Sequence, residues 1–318
     1  MKRRQRLVWT ALVLALPLLL SQCAKQEMTA SGSDLSARLA ETKDPWNKGK
    51  TLFRDSKKGL PPDRIEALGE LALQNRDYEG SLINFMQILK KNPERYDLHY
   101  KVGVIFLLNG QLEAARNELA LVLVHRPEML QAHEALGIVH LQEKRYPLAI
   151  EEFQLVLAQD PSRVKTRHLL GVAYLEARQP AKAVAELRRA TELDPRHIAS
   201  VTALGEAFIE LKDYRQAIAC VKRGLALDPK DQKLNFQLGM ALAGEKRYDE
   251  ALEAFMKVGD EAQAYNNIGV HYFMAGQYED AAKCFQRAIE LRPTFYDEAK
   301  TNLQRALEKL QQTRKDDG

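Results

Sequence analysis

The eight residues DPWNKGKT, 44–51, are where spacing in this chain first suggests chemistry. A loop ending Gly-Lys-Thr cradles phosphate because backbone N–H groups, a lysine ammonium and a hydroxyl converge on the phosphate oxygens and their magnesium ion. That loop also needs an apolar strand ahead of it and a glycine where Asp44 stands; a carboxylate there repels phosphate, and Pro45 follows it. The segment therefore reads as a charged linker, with Trp46 placed to dock on the elements that follow. Histidine offers no better case. His133 and His140 stand seven apart, about 10 Å along a helix that rises 1.5 Å per residue, which is too far to share an ion. No HExxH, paired CxxC or Gly-x-Ser-x-Gly motif occurs. Carboxylate pairs such as Glu151 and Glu152 recur where a helix faces water. The reading is of no enzyme, no catalytic residue, no metal and no cofactor.

Cysteine is the second chemical question. Cys23 closes the sequence Leu20-Ser21-Gln22-Cys23, behind an apolar run from Leu7 to Leu20 and a basic head of Lys2, Arg3, Arg4 and Arg6. The run has 14 residues broken by Pro17, short for a hydrocarbon core of about 30 Å that wants roughly 20. Basic head, compact apolar centre and small residues describe an export signal over 1–22. Its end resembles the lipobox of bacterial lipoprotein signals: aliphatic, small, small, then the cysteine that is acylated. Gln22 is larger than the residues usual beside the cut. The resemblance implies lipidation of Cys23; an ordinary cleaved signal and an uncleaved anchor are the competing readings. Ala24, where an aspartate would resemble an inner-membrane retention signal, implies an outer-membrane lipoprotein facing the periplasm.

Charge excludes another class of partner. The formal charge is +4, from 47 basic and 43 acidic residues, but four of the basic ones sit in the head. Beyond Cys23 the chain carries 43 of each sign and no net charge, whereas nucleic acid is usually met by a concentrated basic face. Cys220 and Cys284 fall at equivalent places in two repeats that are not neighbours. With packed helices 8–10 Å apart, such places exceed the ~7 Å between α-carbons that a disulfide tolerates, so both read as buried or half-buried thiols.

The elements that organise the chain repeat. Gly69, Gly103, Gly137, Gly171, Gly205 and Gly239 recur every 34 residues. Twelve behind each stand Ser81, Ala115, Ala149, Ala183, Ala217 and Ala251, and sixteen behind come Phe85, Leu119, Phe153, Leu187, Val221 and Phe255. Pro93, Pro127, Pro161, Pro195 and Pro229 close the first five periods, three of them as Asp-Pro. Proline cannot continue a helix, and a mid-helix glycine costs about 1 kcal/mol against alanine. A recurring glycine therefore marks where a neighbouring helix comes too close for a side chain. Tyr78, Tyr146, Tyr214 and Tyr248 mark the turns between paired helices.

A seventh period centres on Gly269, only 30 residues after Gly239. Its missing residues fall between Val258 and Ala264, where Asp260 and Gln263 spell a capping box. The tighter junction is expected to change the pitch locally without breaking the stack. Beyond Pro293, Phe295, Ala299, Leu303, Ala306, Leu307 and Leu310 form one stripe of a closing helix. The organisation is thus signal 1–22, polar tether 23–60, seven repeats 61–293, capping helix 294–313 and a polar tail 314–318.

This spacing resembles the tetratricopeptide repeat. The resemblance implies an all-α, right-handed superhelical solenoid in which the first helix of each pair lines a concave groove. It assigns to that groove the positions three before, one after and four after each glycine. Those hold Tyr100, Val104 and Leu107; Glu134, Ile138 and Leu141; His168, Val172 and Leu175; then Thr202, Glu206 and Ile209. Leu107, Leu141 and Leu175 read equally well as packing between helices. Tyr100, Val104, Glu134, Ile138, His168, Val172 and Glu206 are the candidate protein-binding residues, with His168 a polar rim residue and Glu134 or Glu206 setting the register of a bound apolar segment. The lysine-rich clamp by which chaperone-type arrays hold a C-terminal carboxylate is missing, since Glu66, Tyr100, Glu134 and His168 stand in its places.

Lipidated arrays of this size resemble envelope lipoproteins that help assemble pili. The last unit, from EAQAYNNIGVHYF to its FYDEAKTNLQRAL ending, is similar to the tight-adherence (Flp) pilus assembly lipoproteins, and next to the pilotins of type IV pilus secretins. The implied function is an adaptor that holds a pilus or secretin component, bound to the membrane by lipid, with no nucleic acid and no small-molecule substrate. A general envelope scaffold recruiting cell-wall hydrolases or proteases, and a regulatory subunit of a separate enzyme, are the alternatives.

Overall fold

The computed structural model describes residues 60–292 and 297–316, and among them fifteen α-helices and no strand. The segment expected to be an export signal, Cys23, the expected tether as far as residue 59 with DPWNKGKT and Trp46, and Pro293 and Phe295 lie outside the described residues. The chain divides into two compact units, Met1–Val156 and Leu157–Gly318. In unit 1, helices pair as α1 (Pro62–Gln74) with α2 (Tyr78–Leu89), α3 (Tyr96–Leu108) with α4 (Leu112–His125), and α5 (Leu130–Gln142) with most of α6 (Tyr146–Gln159). Unit 2 holds α7 (Val164–Glu176) with α8 (Pro180–Leu193), α9 (Ile198–Glu210) with α10 (Tyr214–Leu227), α11 (Gln232–Gly244) with α12 (Tyr248–Met256), and α13 (Glu261–Met274) with α14 (Tyr278–Leu291). Helix α15 (Asp297–Asp316) closes it.

Each hairpin is locked by the pair of residues that the period brings together. A β-carbon added to Gly137 would stand 2.6 Å from the ring of Phe153, and one at Gly171 2.4 Å from Leu187. The same contact joins Gly69 to Phe85, Gly239 to Phe255 and Gly269 to Phe285. Glycine is thus the socket for the large side chain sixteen residues on. Phe85, Phe153, Phe255 and Phe285 are fully buried in these sockets, each contributing about 1.5–3 kcal/mol of apolar burial. The small row twelve behind the glycine is buried as well, and in the first hairpin the Ser81 hydroxyl donates to Gly69 O at 2.9 Å.

Turns between paired helices share one backbone device. The residue seven behind each glycine is left-handed: Arg76, Lys144, Arg178, Lys212 and Lys246 at φ of 59 to 61°, and Gly110 and Gly276 at 73° and 77°. In the turn after α1 the Arg76 amide donates to Leu73 O and the Asp77 amide to Ala72 O, the reverse turn that satisfies the last carbonyls of a helix. The tyrosines expected at these turns open α2, α6, α10 and α12. Tyr214 also lies over Gly244, one hairpin on, where an added β-carbon would meet its ring at 2.5 Å. Between hairpins, Asp160, Asp194 and Asp228 accept the amide two residues on, across their prolines.

At the shortened junction Asp260 caps α13, accepting the Gln263 amide at 2.9 Å. The four missing residues come off the end of the preceding helix: α12 has nine residues where the other second helices have 12 to 14. Helix α15 packs Ala299 beside Ala288, and Ala306 beside Ala281 and Phe285. Leu307 is 44% exposed and so does not belong to the buried stripe, because the smaller Ala306 takes the contact.

Candidate functional site

The positions three before, one after and four after each glycine lie on the first helices α1, α3, α5, α7, α9, α11 and α13. In unit 1, Tyr100 and Val104 are half-buried on α3 and Glu134 is half-buried on α5. Glu66, at the same place on α1, is held inside the unit. Arg95 forks onto its carboxylate at 2.8 and 3.0 Å and onto Asp97 at 2.7 and 2.9 Å, while Lys101 sits 3.6 Å from Glu66 and pairs with Glu70. The guanidinium in turn holds the Asp97 carboxyl below the usual range. This end of α1 and α3 is a closed acid–base lattice rather than a free charge.

Unit 2 shows Val172 half-buried on α7, with Glu206 and Ile209 half-buried on α9. Glu206 is engaged by Lys233 at 3.1 Å, so a client would have to compete for it before it could set register. Leu107, Leu141 and Leu175 are buried, which resolves them as packing between helices.

Two candidates turn out differently from their sequence reading. Ile138 is 7% and His168 8% exposed, so their side chains are spent on packing and offer a client little surface. His168 is therefore not a rim residue. Its ring meets His197 edge-on at 5.4 Å between centroids, its Nδ1 is buried with no hydrogen-bond partner, and burial, with His197 and Lys233 adding, pushes the imidazole down to about 3. It is neutral at any physiological pH, and a pH-dependent grip through its charge does not follow. Desolvation defeats the period here: the register says which way a residue points, not how far its neighbours cover it.

Other residues went unread although the same register reaches them. Phe236 and Met240 on α11, and Val270 and Phe273 on α13, occupy the same register positions in the last two hairpins and are half-buried. Extending the count to Gly239 and Gly269 would have found them. Also unread was a basic row four before the glycine. His99 lies 2.6 Å from Glu118 and 3.0 Å from Pro93 O, and His133 2.6 Å from Glu152 and 2.9 Å from Pro127 O. Arg167 donates to Glu186 at 2.7 Å and Pro161 O at 3.0 Å. The signal was present as His, His, Arg at 34-residue spacing.

Both thiols beyond Cys23 are unpaired, Cys220 buried and Cys284 half-buried, and burial pushes each up to about 11, which makes them poor nucleophiles. Among the described residues no cluster of His, Cys, Asp or Glu is arranged to hold a metal, and no helix is long and apolar enough to cross a membrane.

Family models described as tetratricopeptide repeat match residues 66–126, 114–164 and 202–259, and 262–295, together more than half of the chain. A model described as anaphase-promoting complex, cyclosome, subunit 3 matches residues 142–224. Among solved structures, a tetratricopeptide repeat protein from Parabacteroides merdae aligns with a TM-score of 0.57 at 15% identity, over 77% of this chain and 98% of that one. The C-terminal part of a TPR repeat-containing protein from Cytophaga hutchinsonii aligns at 0.59 and 16%, over 74% and 98%. A MamA structure from Desulfovibrio magneticus aligns at 0.52 and 23%, over 54% and 98%. At these identities the likeness is one of fold. No curated protein matches the chain.

Proposed function

The chain belongs to the tetratricopeptide repeat family, and from that premise we propose that it is a non-enzymatic protein-binding adaptor of the bacterial envelope, assisting assembly of a pilus or secretion apparatus. Stacked hairpins present long surfaces for polypeptides. The observation that carries the reading is that the first helices of each unit keep half-buried apolar side chains: Tyr100 and Val104 in unit 1, and Val172, Ile209, Phe236 and Met240 in unit 2. Side chains in that state lose water on contact with a client while remaining ordered beforehand, which lowers the cost of binding. Resemblance of the leader to a lipobox supports the envelope setting, and resemblance of the last unit to tight-adherence pilus lipoproteins supports the client class. On this reading the lipid on Cys23 holds the array at the membrane.

The test is co-purification of a secretin or pilus subunit from detergent-solubilised envelopes by the tagged chain, against the Tyr100→Ala plus Val172→Ser variant. Loss of the client from a variant whose unfolding midpoint is unchanged is the expected result. A client captured equally by both proteins refutes the inner-face reading.

A further inference from the structure

Unit 2 contains a cavity that the repeat pattern alone would not place there. At every other hairpin the residue nineteen behind the glycine is buried: Ile88, Val122, Val156, Ala190, Gly224 and Ala288. Gly224 shows what that position does, since an added β-carbon would meet Leu234 of the next first helix at 2.8 Å and Val201 of its own at 3.0 Å. It plugs the seam between successive hairpins. In the sixth hairpin α12 ends at Met256, and the equivalent Val258 lies off the helix and half-exposed. The lost turn leaves a cavity of about 270 Å³.

Its wall is aromatic, from Phe236 and Phe255, whose rings stand 5.5 Å apart and tilted by 57°, with Val258 and Gly259 beside them. Its rim is polar, from Gln263 and Asn267 on α13 and Glu298 on α15. Asn266 accepts from Asn302 at 3.1 Å and donates to Glu298, which lines the opening, at 3.5 Å. Among the described residues no lysine or arginine lines the space, and Glu298 is the one charge that does. Phe236 and Asn266 each stand three before their glycines, the register of the candidate binding face.

We propose that this cavity is a binding site for an arginine side chain of a bound polypeptide, a refinement that rests on the adaptor reading above. The volume falls just under the ~300–1,000 Å³ of small-molecule sites, which suits one long side chain. An arginine stem covers the phenyl wall, its planar head stacks on a ring, and its fork reaches the Glu298 carboxylate and the amide oxygens of Gln263 and Asn267. Lysine offers a point charge without the fork, and an apolar side chain leaves the carboxylate and amides unanswered.

The full chain, in detergent, is titrated with acetyl-Ala-Arg-Ala-amide, and the side-chain amide NMR signals of Gln263, Asn266 and Asn267 are followed. The arginine peptide is expected to shift them saturably. Binding is expected to weaken at least tenfold when citrulline or norleucine replaces arginine, and tenfold when Glu298→Gln removes the charge. Val258→Trp, which refills the cavity, abolishes the shifts. Absence of saturable shifts, or equal affinity for citrulline or norleucine, or for the Glu298→Gln protein, overturns the proposal. Because no client takes part, this outcome is separate from the co-purification test: peptide binding with client capture indifferent to Tyr100 and Val172 refutes the adaptor face and leaves the cavity site standing.

Discussion

Nδ1 of His133 lies 2.6 Å from Oε2 of Glu152, nineteen residues away on the partner helix of the same hairpin, while the other ring nitrogen lies 2.9 Å from Pro127 O in the preceding connection. Both ring nitrogens face an acceptor. Arg167, one period on, makes the same two bonds with a permanent charge, so the position is a clasp fastening a hairpin to the loop that leads into it.

Substitution at the clasp follows from this. His133→Ala is expected to destabilise unit 1 by about 1.5–3 kcal/mol, the range for a hydrogen bond to a charged group, and His133→Arg by less than about 1 kcal/mol. Hydrogen exchange of the α5 amides during urea unfolding measures both. Equal losses for Ala and Arg would mean that ring packing, not the two bonds, holds the site.

The glycine sockets differ in depth. Gly171→Ala forces a β-carbon to 2.4 Å from Leu187, whereas Gly103→Ala meets Leu119 at 3.0 Å. Overpacking costs about 1–3 kcal/mol against a gain of about 1 kcal/mol in helix propensity. Gly171→Ala is expected to lose about 1–2 kcal/mol and Gly103→Ala to stay within about 0.5 kcal/mol of the parent, read by chemical denaturation.

Left-handed turns offer a stabilising change. Lys212 holds φ of 59° in a turn where Gly110 and Gly276 fill the equivalent place. Lys212→Gly relieves that strain and is expected to raise stability by about 0.5–1 kcal/mol, while Gly110→Ala, with open space but φ of 73°, lowers it by about 1 kcal/mol. Opposite signs in thermal unfolding are the signature.

Acid acts on unit 2 through its buried histidines. Burial pushes His168 down to about 3 and His271 down to about 4, whereas an unfolded histidine titrates near ~6.5. Between those values the unfolded chain takes up protons that the fold refuses, so stability is full above about pH 6.5 and falls as pH drops toward 3. His168→Phe is expected to recover a few kcal/mol at pH 4 relative to its effect at pH 7. An unchanged difference at the two pH values would show that His168 is charged in the fold.

Intact mass of the chain purified from membranes checks the anchor. A mature N terminus at Cys23 carrying acyl chains is expected; an unmodified N terminus at or beyond Cys23 removes it.

Much of the architecture was readable as arithmetic. Gly137 and Phe153, or Asp260 and Gln263, are close in sequence, and one or two helices of fixed pitch carry each pair into contact, so period and residue type suffice to state the relationship. The short junction was visible in the same way, as four residues lacking before Ala264. The candidate face was legible only as direction. That Val172 keeps surface while Ile138 and His168 lose it, that Lys233 claims Glu206, and that the missing turn of α12 opens a lined cavity beside Phe236 are results of how neighbouring hairpins press together. Local spacing specifies the helices and the sockets within each hairpin, because those contacts are set by helical geometry. Burial and pairing between hairpins depend on side-chain volumes from several turns at once, and only the packed structure sums them.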